Sequence, residues 1–165
     1  MSDKVLLVTG GSRGIGSATA RLAAAQGWAV AVNYSANSLA ADEVVRAIRA
    51  SGGTAMAVQA NVADEAQVLR MYEHIDAKFG RLTGLVNNAG VAKTQAFLEC
   101  DLSDWQRVLN ITLTGSLLCG QKAARPMQAN GWGRIINVAS ISGLRARLGR
   151  TAYGTSKAAL IGLTR

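Results

Sequence analysis

The chain has 165 residues, of which 49% are hydrophobic and 17% are charged. This length suits one domain with a sizeable core, and this composition argues against intrinsic disorder. The 18 lysine and arginine residues outnumber the 10 acidic residues and give a net charge of +8. These bases are scattered and lack interleaved aromatic residues, which argues against a nucleic-acid-binding surface, whereas a phosphorylated small ligand suits the same charge. We therefore expect a single domain over residues 1–165 with a small-molecule partner and no nucleic acid.

Membrane and metal functions find little support in the sequence. No apolar run approaches the ~20 residues that cross a bilayer, and the apolar stretch near the N-terminus is too short for a signal peptide. We therefore expect a cytoplasmic protein that does not bind a membrane. Cys100 and Cys119 lack the spacing of a metal site, and the chain has one histidine, so the sequence predicts neither a metal site nor a disulfide.

Five short apolar runs recur along the chain, and helical patterns separate them. The runs are KVLLVTG, WAVAVNY, TAMAVQA, GLVNNAG and GRIINVAS. Continuous apolar residues are typical of parallel strands that are covered on both faces. One helix, which Asp64 and Glu65 would begin, has an apolar stripe made of Val68, Met71 or Tyr72, Ile75 and Phe79. The alternation predicts an α/β fold with a doubly wound, Rossmann-type parallel sheet of five strands, a last helix from about Tyr153, and ligands at the carboxyl ends of the strands.

The segment TGGSRGIG connects the first run to a helix. That helix carries Ala18, Leu22 and Ala25. Gly10 would allow a tight turn, and Gly14 would let the backbone approach a diphosphate. Gly16 would let the helix pack close to the strand and leave free N–H groups for an anion. The alternative interpretation is a plain strand-to-helix turn.

Three motifs in order make the chain resemble the short-chain dehydrogenase/reductase family, in the branch with 3-oxoacyl-thioester reductases and sugar dehydrogenases. The family's TGxxxGIG, NNAG and YxxxK motifs correspond here to Thr9, Gly10, Gly14, Ile15 and Gly16, to Asn87, Asn88, Ala89 and Gly90, and to Tyr153 and Lys157. The resemblance implies hydride transfer between a nicotinamide cofactor and a carbonyl or alcohol substrate. It also implies a homodimer or homotetramer, formed in part by a helix face that contains Leu113, Leu117, Leu118 and Gln121.

The same resemblance identifies the residues expected to bind the cofactor. They are Gly10, Ser12, Arg13, Gly14, Ile15, Gly16, Tyr34, Ser35, Asn61, Val62, Asn88, Ala89, Gly90, Tyr153 and Lys157. An acidic residue at the end of the second strand would favour NAD, but the segment VAVNYSANS contains none. Because Arg13 adds a cation that can pair with a 2′-phosphate, we expect NADP(H). The alternative is that Arg13 is a solvated loop residue.

Tyr153 and Lys157 are the candidate proton-transfer pair. Spaced four residues apart, they share one face of a helix, and the ammonium favours the phenolate form of its neighbour. The resemblance implies that Tyr153 acts as acid or base, that Lys157 binds the nicotinamide ribose, and that Ser140 polarises the substrate carbonyl. Without the resemblance, a serine at a strand end is simply a common turn residue.

Two departures from the family pattern bear on activity. Thr112 occupies the position where the family has an asparagine that holds a proton-relay water, and Asn110 lies two residues earlier. Family members also continue through two more strands and a substrate-covering segment, so we expect a C-terminally truncated member that ends at Arg165 with an exposed apolar edge strand. The alternative function is therefore an impaired or non-catalytic NADP(H)-binding protein.

Three arginines crowd the loop that precedes Tyr153. Arg145, Arg147 and Arg150 could meet the phosphates of an acyl carrier or of coenzyme A, which would favour reduction of a 3-oxoacyl thioester. The more ordinary interpretation is a solvated or subunit-facing loop, because most surface arginines have no ligand.

Overall fold

Strands and helices alternate along the chain in the computed structural model, which describes residues 4–145 and 147–165. The strands are β1 (Val5–Val8), β2 (Ala29–Tyr34), β3 (Thr54–Gln59), β4 (Gly84–Asn87) and β5 (Arg134–Asn137). The α-helices are α1 (Gly14–Ala25), α2 (Ser38–Ala50), α3 (Glu65–Phe79), α4 (Leu102–Leu109), α5 (Gly115–Ala129) and α6 (Thr151–Thr164). A π-helical turn at Asn110–Thr114 joins α4 to α5, and 3-10 turns lie at Phe97–Glu99 and Ile141–Gly143. Each predicted apolar run forms a strand.

The five strands form one parallel sheet in the order β3-β2-β1-β4-β5. This order confirms the predicted doubly wound fold, because the chain runs outward from β1 in one direction and then returns to the other side of it. Side chains alternate along β1: Val5 and Leu7 pack with α3 and α5 on one face, while Leu6 and Val8 pack with α1 and α2 on the other. All four are buried, which explains the unbroken apolar run.

The helix α3 follows its predicted pattern closely. Asp64 precedes it and accepts a hydrogen bond from the backbone N–H of Gln67 at 3.0 Å, which satisfies one of the free donors of the first turn. The predicted stripe is buried, with both Met71 and Tyr72 in the core beside Val68, Ile75 and Phe79.

The buried face of α1 is made of small residues. Ala18, Leu22 and Ala25 are exposed, whereas Gly16, Ala20 and Ala24 are buried. The buried stripe consists of small residues because α1 lies close to the sheet and to α2, where a larger side chain would not fit. Small residues give a weak hydrophobic signal, so this buried face is hard to identify from the sequence.

The strand β5 is the exposed edge that the sequence predicted. Ile135 is 38% exposed and Ile136 is 57% exposed, so the expectation of cover on both faces is wrong for this strand. Within the described residues, β5 pairs only with β4, and its apolar side chains stay exposed although α5 and α6 lie next to it. The described helices include none that is long and apolar enough to cross a bilayer.

Candidate active site

A cavity of about 560 Å³ opens at the carboxyl ends of β1 to β4. It lies where the strand order reverses between β1 and β4, which is where open α/β sheets bind their ligands. Of the residues expected to bind a cofactor, those that line this cavity are Gly10, Ser12, Arg13, Gly14, Ile15, Tyr34, Ser35, Asn61, Val62, Asn88, Ala89 and Gly90. Gly16, Tyr153 and Lys157 are not part of its lining.

The glycine loop presents open backbone to this cavity. Gly10 and Gly14 have φ values of 60° and 54°, in the region that side chains disfavour. A Cβ added at Gly14 would meet nothing within 4 Å, so this position faces space that a ligand can enter. Among the described residues no side chain caps the start of α1, which leaves its first N–H groups available to an anion.

Gly16 allows the close packing that the sequence predicted, although it does not line the cavity. A Cβ at this position would lie 2.5 Å from the backbone oxygen of Gly10 and 2.6 Å from Nδ2 of Asn88. Its missing side chain therefore lets α1 begin directly beneath the glycine loop and beside the loop that follows β4.

Two asparagines fix the shape of the glycine loop. Asn33 accepts at Oδ1 from the N–H of Gly10 at 3.1 Å and donates from Nδ2 to the oxygen of Ala60 at 3.1 Å. Asn88 donates from Nδ2 to the oxygens of Thr9 and Gly10 at 2.9 and 3.1 Å. Asn33 was not among the predicted site residues, although a polar residue inside an apolar strand run is a signal that could have identified it.

The charges around the cavity are positive. Arg13 and Arg107 line it, and no Asp or Glu is among the described lining residues. Arg107 is an exposed residue of α4, one helical turn before Ile111, which also lines the cavity. Arg107 carries no signal in the sequence, because only the tertiary fold brings α4 to the strand ends. This arrangement suits an anionic ligand.

Ser140 and Tyr153 line a second cleft of about 400 Å³, which shares Gly90 and Val91 with the first cavity. Both side chains are partly buried. Ser140 accepts at Oγ from the N–H of Ser142 at 3.1 Å, so its hydroxyl proton is free to be donated into the cleft. The two residues thus lie beside the glycine loop cavity, at the carboxyl end of β5 and the start of α6.

Lys157 lies behind Tyr153 and is only 4% exposed. Its Nζ donates to the backbone oxygen of Val138 at 2.5 Å and lies 5.8 Å from the centroid of the Tyr153 ring. Burial lowers the pKa of Lys157, since removing an ammonium from water disfavours its charged form.

Thr112 lies at the centre of the π-helical turn, a type of distortion often found at functional sites. It is fully buried, and its hydroxyl has no hydrogen-bond partner among the described residues. A Cβ added at Gly90 would lie 3.4 Å from Oγ1 of Thr112 and 3.8 Å from Nζ of Lys157, so the hydroxyl and the ammonium flank the same point. Asn110 instead accepts a hydrogen bond from Gln106 at 3.0 Å. The fold therefore brings Thr112, and not Asn110, toward Lys157.

The three loop arginines separate in the structure. Arg147 and Arg150 line the second cleft together with Tyr153, whereas Arg145 is exposed and does not line it. The cysteines lie apart and are free, Cys100 partly buried and Cys119 buried.

Comparisons with known proteins agree with this geometry. The family model described as short chain dehydrogenase matches residues 4–165. A 3-oxoacyl-[acyl-carrier-protein] reductase of Synechocystis sp. is 45% identical over 165 residues, which are 100% of this chain and 67% of that protein. A cis-4-hydroxycyclohexanecarboxylate dehydrogenase of Sinomonas cyclohexanicum is 44% identical over 165 residues, or 99% of this chain and 66% of that protein.

Solved structures give the same result. A putative gluconate dehydrogenase from Agrobacterium tumefaciens superposes with a TM-score of 0.95 at 32% identity, covering 99% of this chain and 64% of that one. The chain thus spans about two thirds of the length of its relatives. It belongs to the short-chain dehydrogenase/reductase family.

Proposed function

We propose that the protein transfers a hydride between NADP(H) and a carbonyl or secondary alcohol substrate. The observation that carries this proposal is the second cleft, in which Ser140 and Tyr153 face a space that shares Gly90 and Val91 with the glycine loop cavity. The uncapped start of α1 and the open space at Gly14 suit a dinucleotide diphosphate.

Besides the hydride transfer, the reaction needs a polarised carbonyl and a proton, and three residues of this chain would supply these. When bound, the nicotinamide supplies or accepts the hydride. Ser140 donates a hydrogen bond from its hydroxyl to the carbonyl oxygen and polarises it. Tyr153 donates the proton that completes an alcohol, or removes it in the reverse direction. Lys157 holds its ammonium behind the Tyr153 ring and favours the phenolate that this step leaves.

The preference for NADP(H) over NAD(H) rests on charge. No described carboxylate lines the cavity beside Tyr34 and Ser35, and Arg13 lies in the glycine loop. Replacing Tyr34 with Asp would place a carboxylate at the end of β2, where it repels a 2′-phosphate and accepts from a 2′-hydroxyl. We expect Tyr34→Asp to weaken NADPH binding by about tenfold or more and to strengthen NADH binding. Equal effects on both cofactors would contradict the proposed preference.

The relatives suggest which substrates to test first. Their names point to 3-oxoacyl thioesters, hydroxycyclohexanecarboxylate and gluconate. NADPH binding is followed by fluorescence, and its oxidation is then followed with 3-oxoacyl thioesters, oxo acids, sugars and neutral ketones. Turnover of at least one class supports the proposed function. If the cofactor binds but no substrate of any class is turned over, the proposed function is refuted for this chain.

An impaired or non-catalytic NADP(H)-binding protein is the second candidate. The buried hydroxyl of Thr112, which no described residue hydrogen-bonds and which stands where the family has an asparagine, favours this candidate. In that case Thr112→Asn should create or raise turnover while cofactor affinity stays the same.

We also propose that residues 1–165 act as one NADP-binding domain in the cytoplasm and form a homodimer or homotetramer. Leu117 and Gln121 are exposed on α5, next to the partly buried Leu113 and Leu118, so this face is available to a second copy. Light scattering at several protein concentrations tests the assembly, and a monomer at all of them would refute it.

A further inference from the structure

A tight turn brings two arginines to the same side of the second cleft. The N–H of Arg150 donates to the oxygen of Arg147 at 3.2 Å, which closes a four-residue turn. Its third residue, Gly149, has a φ of 70°, as a type II turn requires. Both arginines line the cleft with Ser140 and Tyr153.

Contacts with the segment after β4 and with α6 hold this turn in place. Gln95, in the segment after β4, donates its N–H to the oxygen of Gly149 at 3.2 Å. A Cβ on Gly149 would come within 2.7 Å of Cγ2 of Thr94, so the two segments are in close contact. The N–H of Gly154 donates to the oxygen of Arg150 at 2.6 Å and joins the turn to α6. Arg147 and Arg150 therefore lie on a turn whose position is held by neighbouring segments.

Arg150 lies against the candidate reacting residue. Its Cζ is 5.7 Å from the centroid of the Tyr153 ring, and the residue is partly buried. No carboxylate pairs with it in the part of the chain that the structure describes, and none lines the cleft. The two nearest in sequence are engaged elsewhere, since Asp104 pairs with Lys93 and Asp101 accepts from the N–H of Ser103.

A partly buried guanidinium without a counter-ion is costly, and an incoming anion would relieve that cost. A guanidinium presents a planar fork of donors that matches a carboxylate in two parallel hydrogen bonds. Arg150 lies close to the Tyr153 ring, where the carbonyl reacts. The anion that Arg150 binds must therefore be only a few bonds away from the reacting carbonyl of the same substrate. A phosphate more than a dozen bonds away, as in a carrier-bound thioester, would lie outside this reach.

We infer that Arg150, with Arg147 beside it, selects substrates that carry a carboxylate within about four bonds of the reacting carbonyl or alcohol carbon. The substrate class is thus the short oxo acids and hydroxy acids. This inference rests on the proposed oxidoreductase function and names the substrate of the same cleft.

The test compares each acid with its uncharged derivative. The pairs are pyruvate, acetoacetate, 4-oxopentanoate and 5-oxohexanoate, each against its methyl ester, with NADPH oxidation as the readout. We expect kcat/KM to be at least about tenfold higher for the best acid than for its ester. Wild-type protein that shows no preference for any acid would overturn the inference.

Variants then assign the preference to Arg150. Arg150→Gln should remove the preference, because KM should rise about tenfold or more for the acid and far less for the ester. Arg150→Lys should keep part of it, because the charge remains and the fork is lost. The control Arg70→Gln removes one charge from the exposed side of α3 and should change neither substrate. An equal fall in kcat for acid and ester in Arg150→Gln would show that Arg150 acts on Tyr153, and would overturn the inference.

A binding measurement separates this inference from the proposed function. If no acid or ester turns over, the proposed function fails, and the carboxylate site is then judged by saturation-transfer NMR on the NADP-loaded protein. Pentanoate should bind more tightly than pentanamide to wild-type protein and equally weakly to Arg150→Gln. Equal binding of pentanoate and pentanamide to wild-type protein would overturn the inference.

Discussion

Lys157 donates from Nζ to the backbone oxygen of Val138 at 2.5 Å, a hydrogen bond that joins α6 to the chain immediately after β5. The same ammonium lies 5.8 Å from the centroid of the Tyr153 ring. This bond helps to hold α6, and with it Tyr153, against the end of the sheet, together with the bond from Nδ2 of Asn137 to Oγ1 of Thr164 at 3.0 Å. Ser140 lies two residues beyond Val138, so the Lys157 bond links the two sides of the second cleft.

Tyr153→Phe should abolish turnover and leave the fold intact. The change removes only the hydroxyl that transfers the proton, so we expect kcat to fall by about 10²- to 10⁴-fold while NADPH affinity is unchanged. Tyr72→Phe is the matched control. The Tyr72 hydroxyl donates to the oxygen of Cys119 at 2.7 Å in the core, and its loss should cost about 1–3 kcal/mol of unfolding free energy. Turnover in Tyr72→Phe should persist, and an equal loss of turnover in both variants would contradict the role of Tyr153.

The unfolding free energy should depend on pH through Lys157. Burial lowers its pKa in the folded protein below the ordinary value of 10.5. As the pH rises through this lowered value toward 10.5, the folded state loses the proton first, and the unfolded state then binds more protons. The unfolding free energy of wild-type protein should therefore rise relative to that of Lys157→Met over this interval, and it should show no such relative change at lower pH.

Urea denaturation of both proteins from pH 7 upward measures this difference. Burial also raises the pKa of Tyr72, and it raises the pKa of Cys119 to about 12. Both groups destabilise the folded state at high pH, but they do so equally in the two proteins and cancel in the comparison. A constant difference across the interval would mean that Lys157 is not desolvated.

Local patterns predicted the strands and α3, but not the contacts that complete the candidate site. The buried stripe of α3 repeats large apolar residues at helical spacing, so it was visible without the fold. Arg107 reaches the glycine loop cavity only because α4 passes over the strand ends, and no spacing in the sequence records that approach. The π-helical turn around Thr112 was equally hidden, because an extra residue in one turn leaves no hydrophobic signature.

Gly16→Ala should disrupt the glycine loop. The added Cβ would overlap the backbone oxygen of Gly10 and the amide of Asn88 at 2.5 and 2.6 Å. We expect loss of NADPH binding by fluorescence and a fall of about 1–3 kcal/mol in unfolding free energy. Gly120→Ala, inside α5, meets nothing within 4 Å and should stabilise the protein by about 0.5–1 kcal/mol. Normal NADPH affinity in Gly16→Ala would show that the loop tolerates displacement.

Two substitutions of Thr112 test different properties, namely the stability of the fold and the rate of the reaction. Thr112→Val keeps the shape and removes a fully buried hydroxyl that has no partner among the described residues. We expect its unfolding free energy to rise by about 1–3 kcal/mol, because an unsatisfied polar group is removed from the core. Thr112→Asn adds an amide that can reach the point beside Gly90 where Thr112 and Lys157 meet. Its kcat should rise, by up to about 10²-fold, because a relay to Lys157 is restored.

Together the two variants decide what Thr112 does. If the hydroxyl already holds a water for Lys157, Thr112→Val will lower kcat and will not be more stable than wild type, since a satisfied group is lost. If the hydroxyl is idle, Thr112→Val will be more stable with kcat unchanged, and Thr112→Asn alone will change the rate. Denaturation in urea and kcat measured with the best substrate separate these cases.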